Sequence, residues 1–203
     1  MKPLRKIIFP AAGMGTRFLP ATKACPKEML TIVDKPLIQY GVEEALAAGL
    51  DQIVMVTGRG KRAIEDHFDI SAELEKSLQQ AGKEDLYEEV SRISRMANIS
   101  YVRQKQALGL GHAVACAAHW VGNECFAVAL ADELIVSGMP AMQQLRAIHE
   151  QTGASVIGLS HVSTQEVCRY GIVDTIDESG LLRLRHMVEK PKPDEAPSNL
   201  ASI

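Results

Sequence analysis

The residues with the clearest chemical potential lie in a glycine-containing stretch near the N-terminus. Gly13 and Gly15 follow the short apolar run 7–9, and Arg17 and Lys27 lie farther along. Glycines let backbone amides approach a phosphate closely, and successive inward-pointing amides form an anion-binding nest. Arginine offers a planar fork for phosphate oxygens, whereas lysine acts as a movable point charge. The stretch is therefore equipped to bind a triphosphate.

Two common phosphate-binding motifs do not fit this stretch. A Walker A loop that began at Gly13 would need a glycine at position 18 followed by a lysine, and the dinucleotide fingerprint needs its third glycine at position 18 as well. Phe18 and Leu19 occupy these two positions. The pattern therefore excludes a P-loop kinase and a Rossmann dehydrogenase.

The charge of the chain is unevenly distributed. The net charge is −3, yet residues 1–35 hold seven basic and two acidic side chains, which leaves this segment at +5 and the remainder at −8. A nucleic-acid surface would need a broad basic stripe, so the asymmetry favours a local anion site. An ordinary solvated N-terminus is the alternative that charge alone leaves open.

Composition limits the class of protein. The chain is 46% hydrophobic and 23% charged, which predicts a folded protein with a buried core and excludes disorder as its main state. No apolar run approaches the ~20 residues that span a bilayer, and the N-terminus is a poor secretory signal, so we expect a cytoplasmic protein without a membrane partner. The four cysteines lack C-x-x-C spacing and are expected to be reduced, mostly as small core residues.

Short apolar runs alternate with helical patterns along the chain. They predict strands at 7–9, 53–56, 99–102, 126–130, 155–159, 171–176 and 182–188, and helices at 37–48, 63–68, 72–97, 111–120 and 140–151. This alternation indicates an α/β fold whose mostly parallel sheet has helices on both faces. Because ligands bind beyond the carboxyl ends of such strands, the residues after each strand are the candidates for function. The proline-rich segment 191–203 is predicted to be an extended tail.

Several motifs together resemble one known family. They are Gly13-x-Gly15-Thr16-Arg17, Pro26–Leu30, Asp34–Tyr40, Gln104 with Leu108–Ala113, Arg169–Val173 and Val188–Pro193. In this order they are similar to the sugar-nucleotide pyrophosphorylases, and within them to the bacterial UTP–glucose-1-phosphate uridylyltransferases. The resemblance implies a Rossmann-like three-layer nucleotidyltransferase fold over residues 1–203, as one domain. It also implies that UTP and glucose 1-phosphate react to give UDP-glucose and pyrophosphate.

The resemblance assigns roles to residues of the glycine-containing stretch. It implies that the backbone of Ala12 and Gly13 holds the nucleotide and that Glu28 accepts a hydrogen bond from its base or ribose. Arg17 is implied to hold the leaving pyrophosphate, and Lys27 to assist the α- or β-phosphate. The alternatives are that Ala12 and Gly13 form only a tight turn and that Glu28 is a carboxylate at a helix start. Arg17 and Lys27 would then be solvated cations.

Later motifs supply the residues that are expected to bind the base and the metal. Gln104 carries one donor and one acceptor, which complement the N–H and C=O edge of uracil, and Gly109 is implied to let the base pack against backbone. Asp132 lies just beyond the predicted strand 126–130, where a carboxylate suits a hard cation, and the family uses an aspartate here for Mg²⁺. Glu133 is a possible second oxygen donor. The alternatives are that Gln104 is an ordinary surface residue and that Asp132 only caps a turn.

The last motifs complete the expected substrate site. The resemblance implies that Gly171 and Glu189 contact the hexose and that Lys190 binds its phosphate, although an exposed ion pair would give the same pattern. Family members continue well past residues 197–201, so we expect a chain without the family's C-terminal portion, and homo-oligomers of the complete members. Two other functions stay open: a thymidylyl-type transferase, and a nucleotide-binding homologue without turnover.

Overall fold

Most strands of the chain belong to two four-stranded sheets. The computed structural model describes residues 3–178 and 180–203. One compact unit ends at Gln143 and contains the sheet that is parallel; the other runs from Gln144 to Ile203 and contains the antiparallel sheet. The single domain over residues 1–203 stays a prediction.

The elements are numbered in chain order within the described residues. The strands are β1 (Lys6–Ala11), β2 (Thr31–Ile32), β3 (Lys35–Pro36), β4 (Gln52–Thr57), β5 (Asn98–Arg103), β6 (Phe126–Val128), β7 (Leu159–His161), β8 (Gly171–Glu178), β9 (Leu181–Glu189) and β10 (Leu200–Ser202). The helices are α1 (Leu37–Ala47), α2 (Arg62–Phe68), α3 (Ala72–Gln80), α4 (Glu84–Arg95), α5 (Leu110–Cys116), α6 (Ala118–Val121) and α7 (Ala141–Thr152).

The first sheet is parallel, in the order β5–β4–β1–β6, and both of its faces are covered. Ile7 and Phe9 of β1 share a core with Val42 of α1 and with α2, whereas Ile8 packs on the other face with Ala113 of α5. Alternate side chains of a strand point to opposite faces, so burial on both faces requires a continuous apolar run. The predicted α/β fold with helices on both faces is confirmed.

Some predicted elements differ from the structure. The helical pattern 72–97 forms two helices, because Gly82 adopts a φ of 64°, which is left-handed and ends α3. The predicted helix 111–120 is likewise divided between α5 and α6. The predicted strand 155–159 is wrong, since β10 provides hydrogen-bonded partners only for residues 159–161.

The second sheet has the order β7–β10–β8–β9. The segment 191–203, predicted as a tail, contributes β10 to the interior of this sheet. Ala201 is fully buried and pairs with Ser160 on one side and Ile172 on the other. Antiparallel partners on β7 for all three residues, and on β8 for Ala201, make a strand here, although the run is too short to show it in the sequence.

All four cysteines are free, as predicted. The expectation that most lie in the core is wrong: Cys125 and Cys168 are exposed, and Cys25 and Cys116 are partly buried. Among the helices of the described residues, none is both long and apolar enough to cross a membrane.

We predict that Gly41→Ala destabilises the first unit, although alanine favours helices. Gly41 lies in α1, and a Cβ there would lie 2.9 Å from Cε1 of the buried Phe9 ring. Because a packed core holds this ring in place, the clash outweighs the ~1 kcal/mol that alanine contributes to a helix. The midpoint of thermal unfolding should therefore fall.

Gly111 of α5 provides the matched control. An added Cβ at Gly111 meets no atom within 4 Å, so Gly111→Ala should leave the midpoint unchanged or raise it. Equal midpoints for Gly41→Ala and the unmodified chain would contradict the prediction.

Candidate functional site

The loops that follow the four parallel strands lie at one edge of the first sheet. They comprise residues 12–17 after β1, 58–61 after β4, 104–109 after β5 and 129–133 after β6. Adjacent strands are ~4.8 Å apart, so the loops after β5 and β6 flank an edge roughly 14 Å wide. The sheet thereby aligns the glycine-containing stretch, Gln104 and Asp132 at one edge, as expected from the positions of the strands.

The loop after β1 is folded against the segment that contains Lys27. Gly15 has a φ of 67°, and a Cβ there would lie 3.1 Å from Cβ of Lys27 and 3.2 Å from Cγ2 of Thr22. The Thr22 hydroxyl donates to the Gly15 carbonyl at 2.7 Å. Only glycine combines this left-handed backbone with so close a contact, and Lys27 is thereby held next to the loop.

Lys27 connects the loop after β1 with the loop after β6. Its Nζ lies 2.6 Å from Oδ2 of Asp132, and the two side chains are 17% and 26% exposed. Cε of Lys27 also passes within 3.9 Å of the position that a Cβ on Gly13 would occupy. The structure therefore brings together three residues that the sequence analysis assigned to phosphate and metal binding.

Glu133, which follows Asp132 in the chain, also interacts with the charged groups around the Lys27–Asp132 pair. Burial raises the pKa of its carboxyl above the ordinary value, and the negative charge of Asp132 adds to this effect. The cations Lys27 and Arg17 oppose the increase in pKa. Two cations and two carboxylates thus interact here, an arrangement that suits a polyphosphate together with a divalent cation.

The carboxylates fit one particular mode of metal binding. Across residues 3–178 and 180–203, no group of three or more His, Cys, Asp or Glu side chains could hold a metal ion. Mg²⁺ is commonly bound through one or two carboxylates, with substrate phosphates and water completing its shell. Asp132 and Glu133 supply two carboxylates, which fits a cation that is bound jointly by protein, phosphate and water and not by protein side chains alone.

Glu28 forms a buried ion pair that the sequence analysis missed. Its Oε2 lies 2.6 Å from Nζ of Lys61, and the two side chains are 0% and 7% exposed. Its Oε1 is buried and makes no hydrogen bond within the described part of the chain. Glu28 lies in the 3₁₀ turn Lys27–Met29, so the pair fixes the turn that contains Lys27. The sequence offered one signal for this pair: Lys61 ends the glycine-containing loop after β4.

Gln104 is held by hydrogen bonds to its own loop and to the first turn of α5. It is 8% exposed, and its Nε2 lies 3.2 Å from the Gly109 carbonyl oxygen and 2.9 Å from Nδ1 of His112. Gly109 has φ 93° and ψ 179°, a conformation that is essentially restricted to glycine. The sequence analysis selected Gln104 and Gly109 but gave no role to His112.

The predicted sugar residues lie together in the second unit. Gly171 pairs with Glu189 across β8 and β9, and a Cβ at Gly171 would lie 3.2 Å from Oε2 of Glu189. Lys190 has a φ of 49°, and its Nζ lies 3.0 Å from Oε1 of Glu189. Both charged side chains are more than half exposed, so they are accessible to a polar ligand.

Comparison with known proteins identifies the family. The family model described as nucleotidyl transferase matches residues 6–203. The chain belongs to the nucleotidyl transferase family. The family assignment from the motifs is therefore confirmed, and the nucleotidyl transferase nature of the enzyme follows from it.

Relatives that are similar over nearly the whole of this chain are named UTP–glucose-1-phosphate uridylyltransferases. It is 53% identical to the UTP–glucose-1-phosphate uridylyltransferase YngB of Bacillus subtilis (strain 168), over 98% of this chain and 68% of the relative. It is 55% identical to a UTP–glucose-1-phosphate uridylyltransferase of Staphylococcus haemolyticus (strain JCSC1435), over 99% of this chain and 70% of the relative. The resemblance that was inferred from the motifs thus extends along the chain.

Solved structures show the same similarity. A UDP-glucose pyrophosphorylase in complex with UDP-glucose has a TM-score of 0.87 and 45% identity, covering 98% of this chain and 74% of that one. A UTP-bound UGPase from Acinetobacter baumannii has a TM-score of 0.91 and 43% identity, covering 98% and 72%. The predicted nucleotidyltransferase fold is confirmed.

We predict that Lys61→Met is strongly destabilising. The substitution leaves the buried Glu28 carboxylate without a counter-charge, which typically costs about 3–5 kcal/mol. Urea unfolding should show this loss in the free energy of unfolding. The double variant Glu28→Leu/Lys61→Met removes both charges and should recover most of it.

Lys35→Met is the matched control. Lys35 pairs with Glu43 at 2.7 Å, but both side chains are about 30% exposed, so loss of that pair should cost about 1 kcal/mol or less. If Lys61→Met were no more destabilising than Lys35→Met, the buried pair would not fix the turn.

Proposed function

We propose that this chain transfers the uridylyl group of UTP to the phosphate of glucose 1-phosphate, giving UDP-glucose and pyrophosphate. The observation that carries the proposal is the 2.6 Å contact between Lys27 and Asp132, which joins the cationic loop after β1 to the carboxylates after β6. Uridylyltransferases at 53–55% identity support the choice of nucleotide and sugar.

The reaction is an in-line displacement at the α-phosphorus without a covalent enzyme intermediate. The attacking phosphate is already ionised at neutral pH, so no side chain has to remove a proton. The protein's contribution is therefore positioning and neutralisation of negative charge. Backbone amides of Ala12 and Gly13 orient the nucleotide, Arg17 binds the leaving pyrophosphate, and Lys27 assists the α- or β-phosphate.

Lys27 is suited to exchange one anionic partner for another. Its Nζ pairs with a partly exposed carboxylate of Asp132, and a phosphate oxygen of the substrate offers a similar acceptor. When Lys27 turns to the phosphate, Asp132 regains a free carboxylate oxygen. Asp132, with Glu133 beside it, would then hold a divalent cation, for which we propose Mg²⁺; the cation would neutralise charge on the phosphates.

The remaining contacts divide between base and sugar. Gln104 and Gly109 are proposed to bind the base. Glu28 is proposed to accept a hydrogen bond from the base or ribose through its unpartnered Oε1, which requires the fully buried carboxylate to become accessible when the nucleotide binds. In the second unit we assign Gly171 and Glu189 to the hexose and Lys190 to its phosphate. The close pairing of Gly171 with Glu189 supports this assignment, because a side chain at Gly171 would meet the carboxylate.

The test is a Mg²⁺-dependent assay of pyrophosphate release from UTP and glucose 1-phosphate. The unmodified chain should form UDP-glucose, and Asp132→Asn should lower kcat on the order of 10³-fold, as loss of a key charge does in other phosphoryl transfers. The midpoint of thermal unfolding of Asp132→Asn should stay close to that of the unmodified chain, because Asp132 is partly exposed. Asp174→Asn, at a partly exposed aspartate of β8, is the control and should keep its rate.

Three results would contradict the proposal. Tight UTP binding without pyrophosphate release would indicate a binding protein, and equal rates with UTP and dTTP would remove the preference for uridine. An unchanged rate for Asp132→Asn would remove Asp132 from the metal site.

A further inference from the structure

The amide of Gln104 has only one end that remains available to a ligand. Its Nε2 carries two hydrogens, and two acceptors surround it: the Gly109 carbonyl oxygen at 3.2 Å and Nδ1 of His112 at 2.9 Å. The amide oxygen Oε1 takes part in neither contact. A glutamine that was expected to present a donor and an acceptor therefore presents an acceptor alone.

The orientation of this amide follows from the chemistry of its neighbours. A backbone carbonyl can only accept, so the end of the Gln104 amide that faces Gly109 must be the NH₂ group. The same NH₂ group faces Nδ1 of His112, so Nδ1 must be the unprotonated nitrogen and the ring proton lies on Nε2. His112 is thereby assigned a neutral tautomer that acts as an acceptor towards Gln104.

We propose that His112 is a positioning residue that determines base selectivity by holding the Gln104 amide in this orientation. The inference rests on the proposed function only in that a nucleotide base is placed against Gln104. With Oε1 directed to the base, the site favours a ring nitrogen that carries a hydrogen. Uracil has N3–H, whereas cytosine has a lone pair at N3, and two facing acceptors repel one another.

His112 is needed because the Gly109 carbonyl alone restrains the amide weakly. With His112 present, a half-turn of the amide loses the hydrogen bond to Gly109 and also requires the ring proton to move from Nε2 to Nδ1, whereas without His112 it loses only the Gly109 bond. The rotated amide would present its NH₂ group and would donate a hydrogen bond to N3 of cytosine. His112 lies in the first turn of α5, directly behind Gln104, and Gly109 precedes that helix, so the helix start supplies both restraints.

The test compares kcat/KM for UTP and CTP, with glucose 1-phosphate and Mg²⁺, in the unmodified chain, His112→Leu and His112→Asn. The unmodified chain should prefer UTP. His112→Leu should lower the UTP:CTP ratio by about three- to tenfold, at most the effect of one hydrogen bond, mainly through a higher KM for UTP. His112→Asn, whose Oδ1 replaces the Nδ1 acceptor, should keep the ratio within about threefold of the unmodified chain.

A double-mutant cycle separates positioning from general structural damage. In a Gln104→Ala background, His112→Leu should leave the UTP:CTP ratio unchanged, because a residue that acts through Gln104 has nothing left to orient. An unchanged ratio in the single variant His112→Leu, or an equal further change in the Gln104→Ala background, would overturn the inference. Equal use of UTP and CTP by the unmodified chain would overturn it as well.

Failure of the proposed function is distinguishable from failure of this inference. If the unmodified chain formed no UDP-glucose, calorimetric titration with UTP and CTP would still give the ratio of the two dissociation constants. A ratio that favours UTP and falls in His112→Leu would support the role of His112 in a protein without turnover.

Discussion

Parallel pairing of β1 with β4 and β6, and of β4 with β5, places the ends of four strands at a single edge. The pairing is enforced by burial: Ile7 and Phe9 point into one core, and Ile8 points into the other. A slip of one residue would exchange the two sets of side chains between the faces. The registers of β1 with β4 and β6 therefore also fix where the loops 12–17 and 129–133 begin, and with them the distance between cations and carboxylates.

Two ion pairs near this edge differ in what they can do. The Lys61–Glu28 pair is excluded from water, so neither charge can leave its partner without a large desolvation cost. The Lys27–Asp132 pair is partly exposed, and water or a phosphate can replace either partner. The buried pair thus holds the turn in place, and the accessible pair supplies groups that a substrate can engage. A fixed backbone that carries side chains able to exchange their ion-pair partners suits a reaction in which charge is redistributed.

The proposed base site follows a similar principle. Gly109 takes a backbone conformation that other residues avoid, which turns its carbonyl towards Gln104, and His112 supplies the second acceptor. A primary amide is chemically ambiguous, since its two ends differ only in hydrogen-bonding character. The Gly109 carbonyl, which can only accept, fixes the NH₂ end of the amide, and in the proposed base site specificity would then depend on residues beside the one that faces the ligand.

The sequence by itself determined the class of fold and provided candidates for the site. Continuous apolar runs such as residues 53–56 between turn residues indicate strands buried on both faces, and the candidates Gly13, Gln104 and Asp132 follow strand ends. It did not reveal β10, because three residues become a strand only through partners that are distant in the chain. Nor did it reveal Lys61 and His112, whose importance comes from contacts of 2.6 Å and 2.9 Å across different loops or helix turns. Local patterns encode burial and turns, whereas the pairing of charges and the direction of an amide depend on three-dimensional proximity, which only the tertiary structure decided.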